Sequence, residues 1–176
     1  MTSRSMIVGI DPSTSATGVV YGKGNREASS KIFSKRGTLP KGMERFEILE
    51  DLVARISDHV QMCYPKAIYI EHYFAAMRNG VQALYEFGAL LRWELMEIAP
   101  VIEVSTTALK KFATGKGNSP KSVCAAHIAK RYQVEFSSDD LYDAYGLWRL
   151  GRVHQGIDEP ANAKQREVIE ALEKME

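Results

Sequence analysis

Apolar residues follow two rhythms along this chain. The first is that of strands. Residues 6–10 are short, apolar and rich in β-branched side chains, and residues 17–21 repeat the pattern after a turn built on Pro12 and small hydroxyl residues. Residues 29–33 predict a third strand, and the three together predict an antiparallel meander. The second rhythm is helical. Leu49, Leu52, Val53, Ile56 and Val60 recur at i, i+3, i+4 spacing and predict a helix over about 42–62, ended by Pro65. Residues 67–70 and 101–104 predict two further strands. Between them a helix over about 79–98 puts Val81, Leu84, Gly88, Leu91, Leu95 and Ile98 on one face.

Beyond the fifth strand the pattern is helical. A short helix over 106–112 leads into a Gly-rich basic loop. Ser119 followed by Pro120 reads as an N-cap and a first helical position, which predicts a helix to about Tyr132. Ser137 or Ser138 caps another helix, running to about His154. Residues 156–160 read as a linker and 162–175 as an amphipathic helix with Val168, Leu172 and Met175 on one stripe. Strands interleaved with helices predict an α/β fold, with one domain over 1–155 followed by a linker and C-terminal helix over 156–176.

The chemistry lies where apolar segments carry charge. The first strand ends in Asp11 and the fourth in Glu71. A buried carboxylate without a partner is costly, so each must meet a cation, reach solvent or hold a ligand. The segment SSDDLYDAYGLW adds Asp140 and Asp143, three apart and therefore on one helix face, beside apolar Ala144, Leu147 and Trp148. Separately, each acid has a plain explanation: Glu71 could pair with a lysine, and Asp139 and Asp140 suit a helix N-terminus. Together, four acids on three elements could converge as the oxygen ligands that Mg²⁺ prefers, in the manner of two-ion phosphodiester hydrolysis.

Composition changes this picture little. The chain has 176 residues with 45% hydrophobic residues and a net charge of +1, which suits one globular domain and singles out no partner. The distribution of charge is more telling. Residues 105–133 carry six Lys or Arg and no Asp or Glu, and residues 23–41 are basic apart from Glu27. Such stretches can form a footprint for a polyanion. Cys63 and Cys124 lie too far apart in sequence for a metal-binding pair and suit reduced thiols. No signal segment or membrane-length apolar run is present, so a cytoplasmic protein is expected.

The order and wording of these motifs resemble the RuvC-type Holliday junction resolvases of the RNase H-like superfamily. GIDPSTSATG resembles that family's first motif, G-I-D-P-G-x-x-x-T-G. IYIEHYFAAMRN resembles the second, and DDLYDAYGLWRL the fourth, D-A-A-D-A-L-A. The likeness spans about residues 6–152. Ser13 stands where the pattern has Gly, and the tail after Gly156 has no counterpart, features that look more like a phage-type branch.

The resemblance implies an RNase H-like fold: a five-stranded mixed sheet, its first three strands antiparallel, flanked by helices. It implies a homodimeric endonuclease that binds four-way DNA junctions and cuts them by paired symmetric nicks, leaving 5′-phosphate and 3′-hydroxyl ends. Asp11, Glu71, Asp140 and Asp143 would hold two Mg²⁺ ions, with Mn²⁺ able to substitute. Lys121 would stand near the scissile phosphate, and Lys110, Lys111 and Lys116 would hold other phosphates. Phe74, beside Tyr73, would stack on a base. The 79–98 helix would supply the dimer contact, with Arg92 and Trp93 on its outer flank. The alternative within the same superfamily is a nuclease for another structured nucleic acid, such as an RNA–DNA hybrid. A sugar-kinase or actin-like reading of the GID turn needs two such domains, more than this chain can hold.

Overall fold

The structure, a computed structural model, describes residues 6–23, 28–72 and 82–174. Five strands form one mixed sheet: β1 (Met6–Asp11), β2 (Thr17–Gly22), β3 (Ser29–Phe33), β4 (Pro65–His72) and β5 (Val101–Ser105), in the order β3-β2-β1-β4-β5. The first three are antiparallel neighbours, whereas β1, β4 and β5 run parallel. Helices α1 (Arg45–Met62) and α2 (Gln82–Met96) follow β3 and β4. After β5 come α3 (Thr106–Thr114), α4 (Lys121–Tyr132), α5 (Asp139–His154) and α6 (Ala163–Glu173). This is the RNase H-like architecture that the motif resemblance implied.

Alternation along the strands sorts the core into two layers, because successive side chains point to opposite faces. Val8, Ile10, Val19, Ile68 and Ile70 pack with α1 and α2 on one face. Ile7, Val20, Ala67 and Tyr69 pack with α3, α4, α5 and α6 on the other. The same count puts Asp11, two residues past Gly9, and Glu71, two past Tyr69, on the α5 side of the sheet.

The approach of α5 to this face depends on two glycines. A Cβ on Gly9 would collide with the main-chain oxygen of Ala144 and the main-chain nitrogen of Trp148, and one on Gly18 with the main-chain oxygen of Asp140. With no side chain at either position, the helix backbone rests directly on β1 and β2. Leu147 and Trp148, both fully buried, fill the space beside this contact. Each such side chain contributes about 1.5–3 kcal/mol through burial. At the far end of α5, buried Arg152 donates to both Asp158 oxygens at 2.7 and 2.8 Å and to the Lys23 carbonyl at 2.8 Å. That pair ties the segment after α5 back to the helix. The buried face of α6, Gln165, Val168, Ile169 and Leu172, then joins the α3–α5 core.

Several boundaries differ from the sequence expectation. Helix α1 starts at Arg45 rather than Gly42, because Gly42 takes a left-handed turn at φ 79°. It ends at Met62, Tyr64 turns the chain at φ 49°, and Pro65 opens β4 instead of merely stopping the helix. Helix α2 ends at Met96, and positions 79–81 of its expected start lie outside the described residues, as does Met175. Pro120, not Ser119, is the cap of α4, and it makes no side-chain capping bond. The Ser119 hydroxyl instead contacts the Thr114 hydroxyl at 2.8 Å and donates to the Lys116 carbonyl at 3.1 Å, closing the loop before the helix.

The glycine contact yields a test. Gly9→Ala should cost at least about 3 kcal/mol in urea unfolding, since neither colliding group is a side chain that can swing away. Gly37→Ala, at a left-handed but open position, should cost only about 1–2 kcal/mol. Equal costs at the two sites would contradict this packing.

Candidate active site

The turn after Asp11 is held by its own hydroxyls. Thr17 Oγ1 donates to the Ser13 carbonyl at 2.6 Å and accepts from the Ser13 amide at 3.0 Å. Ser13 Oγ lies 3.0 Å from Ser15 Oγ, and the Lys35 amide donates to the Thr14 carbonyl at 3.0 Å. These bonds fix how β1 leaves the sheet. Asp11, only 5% exposed, stays at the strand end.

Glu71 lies on the neighbouring parallel strand, one residue past the Ile10–Ile70 pair. The Glu71 carboxylate lies near enough to Asp11 to help raise its pKa. On α5, the Ser138 hydroxyl caps the helix by accepting from the Leu141 amide at 3.4 Å, which places Asp140 in the first turn and Asp143 one turn on. The Lys121 ammonium, at the start of α4, is 3.0 Å from Asp143, 3.5 Å from Asp140 and 3.7 Å from Asp11. The structure therefore brings Asp11, Glu71, Asp140, Asp143 and Lys121 to one place, at the carboxyl ends of β1 and β4.

The electrostatics are those of a site short of positive charge. Burial, then repulsion from Glu71 and Asp143, hold the Asp11 carboxyl well above the usual carboxylate range. Burial pushes Asp143 up to about 6, even though Lys121 pulls it down. Burial opposes the charge on Lys121, but the three aspartates outweigh it and hold the ammonium above its ordinary value. Among the described residues no three acids, histidines or cysteines stand close enough to form a ready-made metal cage. The donor set is nonetheless all carboxylate, the chemistry that hard divalent cations prefer, and a cation there would relieve the repulsion that raises Asp11 and Asp143.

The other candidate residues are placed unevenly. Lys110 lines a cleft of about 210 Å³ together with Glu71, Lys121, Cys124 and Asp143. Lys116 is exposed on the loop knotted by Thr114, whose hydroxyl donates to the Lys110 and Lys116 carbonyls. Lys111 points elsewhere: its ammonium pairs with Glu167 of α6 at 2.9 Å. Tyr73 and Phe74 lie outside the described residues.

One group near the acids stands where the sequence did not suggest it. Arg92 was expected on the outer flank of α2 but turns inward. It donates to the main-chain oxygen of Glu71 at 2.8 Å and to the Gly88 carbonyl at 3.0 Å, and it pairs with Glu103 of β5. Trp93, the next residue, is 70% exposed. The available signal was Glu103 itself, an acid in the middle of an apolar strand.

The fold and the cluster define the class: an RNase H-like domain with carboxylates gathered at the ends of its central parallel strands. The comparisons with known proteins are narrower. No protein-family model matches the chain. The crossover junction endodeoxyribonuclease RuvC of Carboxydothermus hydrogenoformans is 26% identical over 155 residues, spanning 85% of this chain and 97% of that protein. The structure of Thermus thermophilus RuvC superimposes with a TM-score of 0.64 at 20% identity, over 86% of this chain and 96% of that one. T. thermophilus RuvC in complex with a Holliday junction substrate gives 0.63 at 20% identity, over 81% and 90%. The RuvC-type resemblance read from the motifs is borne out.

The raised Asp143 predicts an effect on stability. Its folded pKa of about 6 lies above the ordinary 3.8, so the folded state binds more protons between these values and stability falls as pH rises through that window. In chelator, Asp143→Asn should therefore raise the melting temperature at pH 7.5, with a gain on the order of 2 kcal/mol. The gain should vanish near pH 4. A variant less stable than the parent at pH 7.5 would contradict the assignment of burial as the dominant cause.

Proposed function

We propose that this protein is a metal-dependent endonuclease that resolves four-way DNA junctions by paired symmetric nicks, leaving 5′-phosphate and 3′-hydroxyl ends. The observation that carries the reading is the gathering of Asp11, Asp140 and Asp143 around the Lys121 ammonium, with Glu71 lining the same cleft. The RuvC likeness supports the substrate class, since one of the similar structures holds a Holliday junction.

In this reading the four carboxylates hold two divalent ions, Mg²⁺ or Mn²⁺. Bound there, the ions supply charge stabilisation for the attacking and leaving oxygens and a water acidified for attack. The chain's own groups do the rest. Lys121, on a flexible four-carbon stem, exchanges its carboxylate partners for a phosphate oxygen and offsets the charge developing there. Lys110 in the cleft and exposed Lys116 take neighbouring phosphates, which makes affinity salt-dependent. Phe74 is the residue that the resemblance offers for stacking on a base at the junction centre. Lys111, engaged by Glu167, takes part in DNA binding only if that pair opens.

A four-way junction has two-fold symmetry, and a C2 dimer presents one site to each of two opposed strands. The exposed stripe Tyr85, Trp93 and Met96 on α2 supports a dimer contact there. No helix among the described residues is long and apolar enough to cross a membrane.

The test uses a synthetic four-way junction, a flap, a plain duplex and an RNA–DNA hybrid, each with Mg²⁺ and with chelator. The parent should nick the junction symmetrically, and only with metal. Asp143→Asn should lose cleavage but keep junction binding. Lys121→Met should slow cleavage by about 10²–10³-fold. Cutting of the hybrid as fast as the junction would sink the resolvase reading in favour of the alternative substrate.

A further inference from the structure

Glu71 is paired with a neighbouring strand on one side only. It lies one residue beyond the last rung joining β4 to β1, so on that side the ladder no longer holds it. On the other side it still pairs with Val104 of β5. A carboxylate that must face a shared cation within a fraction of an ångström needs its main chain fixed as well as its side chain.

Arg92 is built to supply that restraint. Its guanidinium presents a rigid fork of donors, and toward the described residues they reach in three directions. One reaches the Glu71 main-chain oxygen at 2.8 Å, one the Gly88 carbonyl in its own helix at 3.0 Å, and the third pairs with Glu103. Glu103 is itself fixed by His72 Nδ1 at 2.7 Å, so the residue following Glu71 is drawn into the same network. The Arg92 side chain is only 18% exposed. α2, β4 and β5 are thus tied together at one point, and that point is the backbone of Glu71.

We propose that Arg92 is a positioning residue for Glu71: it clamps the Glu71 main chain so that its carboxylate meets Asp11 at the cation site. The inference rests on the reading of Glu71 as a cation-holding carboxylate. It also separates two adjacent residues of α2: Arg92 faces inward and acts on the site, and Trp93 faces outward and does not.

The test starts from the free protein, with Mn²⁺ alone as the probe, in calorimetric titrations of the parent, Arg92→Met, Arg92→Lys and Glu103→Gln. Loss of an outer group of this kind costs about 10–100-fold in metal affinity or activity. Arg92→Met should bind Mn²⁺ within that range of weakening. Arg92→Lys, which keeps a donor and a charge, should recover part of it, and Glu103→Gln, which keeps the shape but not the charge pair, should fall between parent and Arg92→Met. With the junction, Arg92→Met should bind as the parent does, within about twofold in Ca²⁺, cut more slowly at low Mg²⁺ and recover partly at high Mg²⁺. Trp93→Ala should leave Mn²⁺ binding by the free protein unchanged.

Should Arg92→Met fail to fold, Arg92→Lys and Glu103→Gln carry the comparison. Mn²⁺ affinity within twofold of the parent in every folded variant overturns the proposal. So does a loss that follows melting temperature alone, with Arg92→Lys no better than Arg92→Met. If the parent itself leaves the junction intact, the resolvase reading fails, while the Mn²⁺ titrations still decide the role of Arg92.

Discussion

Everything in this site depends on how closely one helix approaches one sheet. Gly9 and Gly18 lack the side chains that would hold α5 away from β1 and β2, so the helix backbone rests on the strands. Asp140 and Asp143 then lie over the strand end that carries Asp11. Had an alanine stood at Gly9, the helix would have to move outward, and the charges would separate. The site is thus a consequence of backbone contact more than of any side-chain bond.

Close approach brings its own problem, which is like charge in a poorly solvated place. Asp11 and Asp143 respond in the expected direction, their carboxyl groups held above the ordinary range by burial first and then by neighbouring acids, Glu71 among them for both. Lys121 supplies one positive charge against several acids. The remaining repulsion is what a divalent cation would relieve. The same logic applied to Arg152 and Asp158 has a different outcome. There a buried charge finds a full partner and serves only to fasten the chain.

Much of this was legible in the chain. The strand rhythm located all five strands, and GIDPSTSATG held both the acid and the two glycines that later admit α5. The D-x-x-D spacing gave a shared helix face because helical periodicity is local. What was not legible was long-range. Nothing in the order of residues says that Arg92 turns inward to the Glu71 carbonyl, because that depends on where α2 crosses β4. Nor does it say that Lys111 meets Glu167, which depends on α6 folding back beside α3. Ser119 misled for a local reason: its hydroxyl had a better use, bonding within the loop closed by Thr114, than capping the helix that follows.

The acid cluster is proposed as a divalent-cation site. It is tested most directly by the anomalous scattering of Mn²⁺ in crystals of the protein. The account predicts Mn²⁺ bound by the carboxylates of Asp11 and Asp143, with the Lys121 ammonium displaced from its place among the aspartates. Mn²⁺ bound elsewhere while Lys121 stays within reach of Asp11, Asp140 and Asp143 would contradict it.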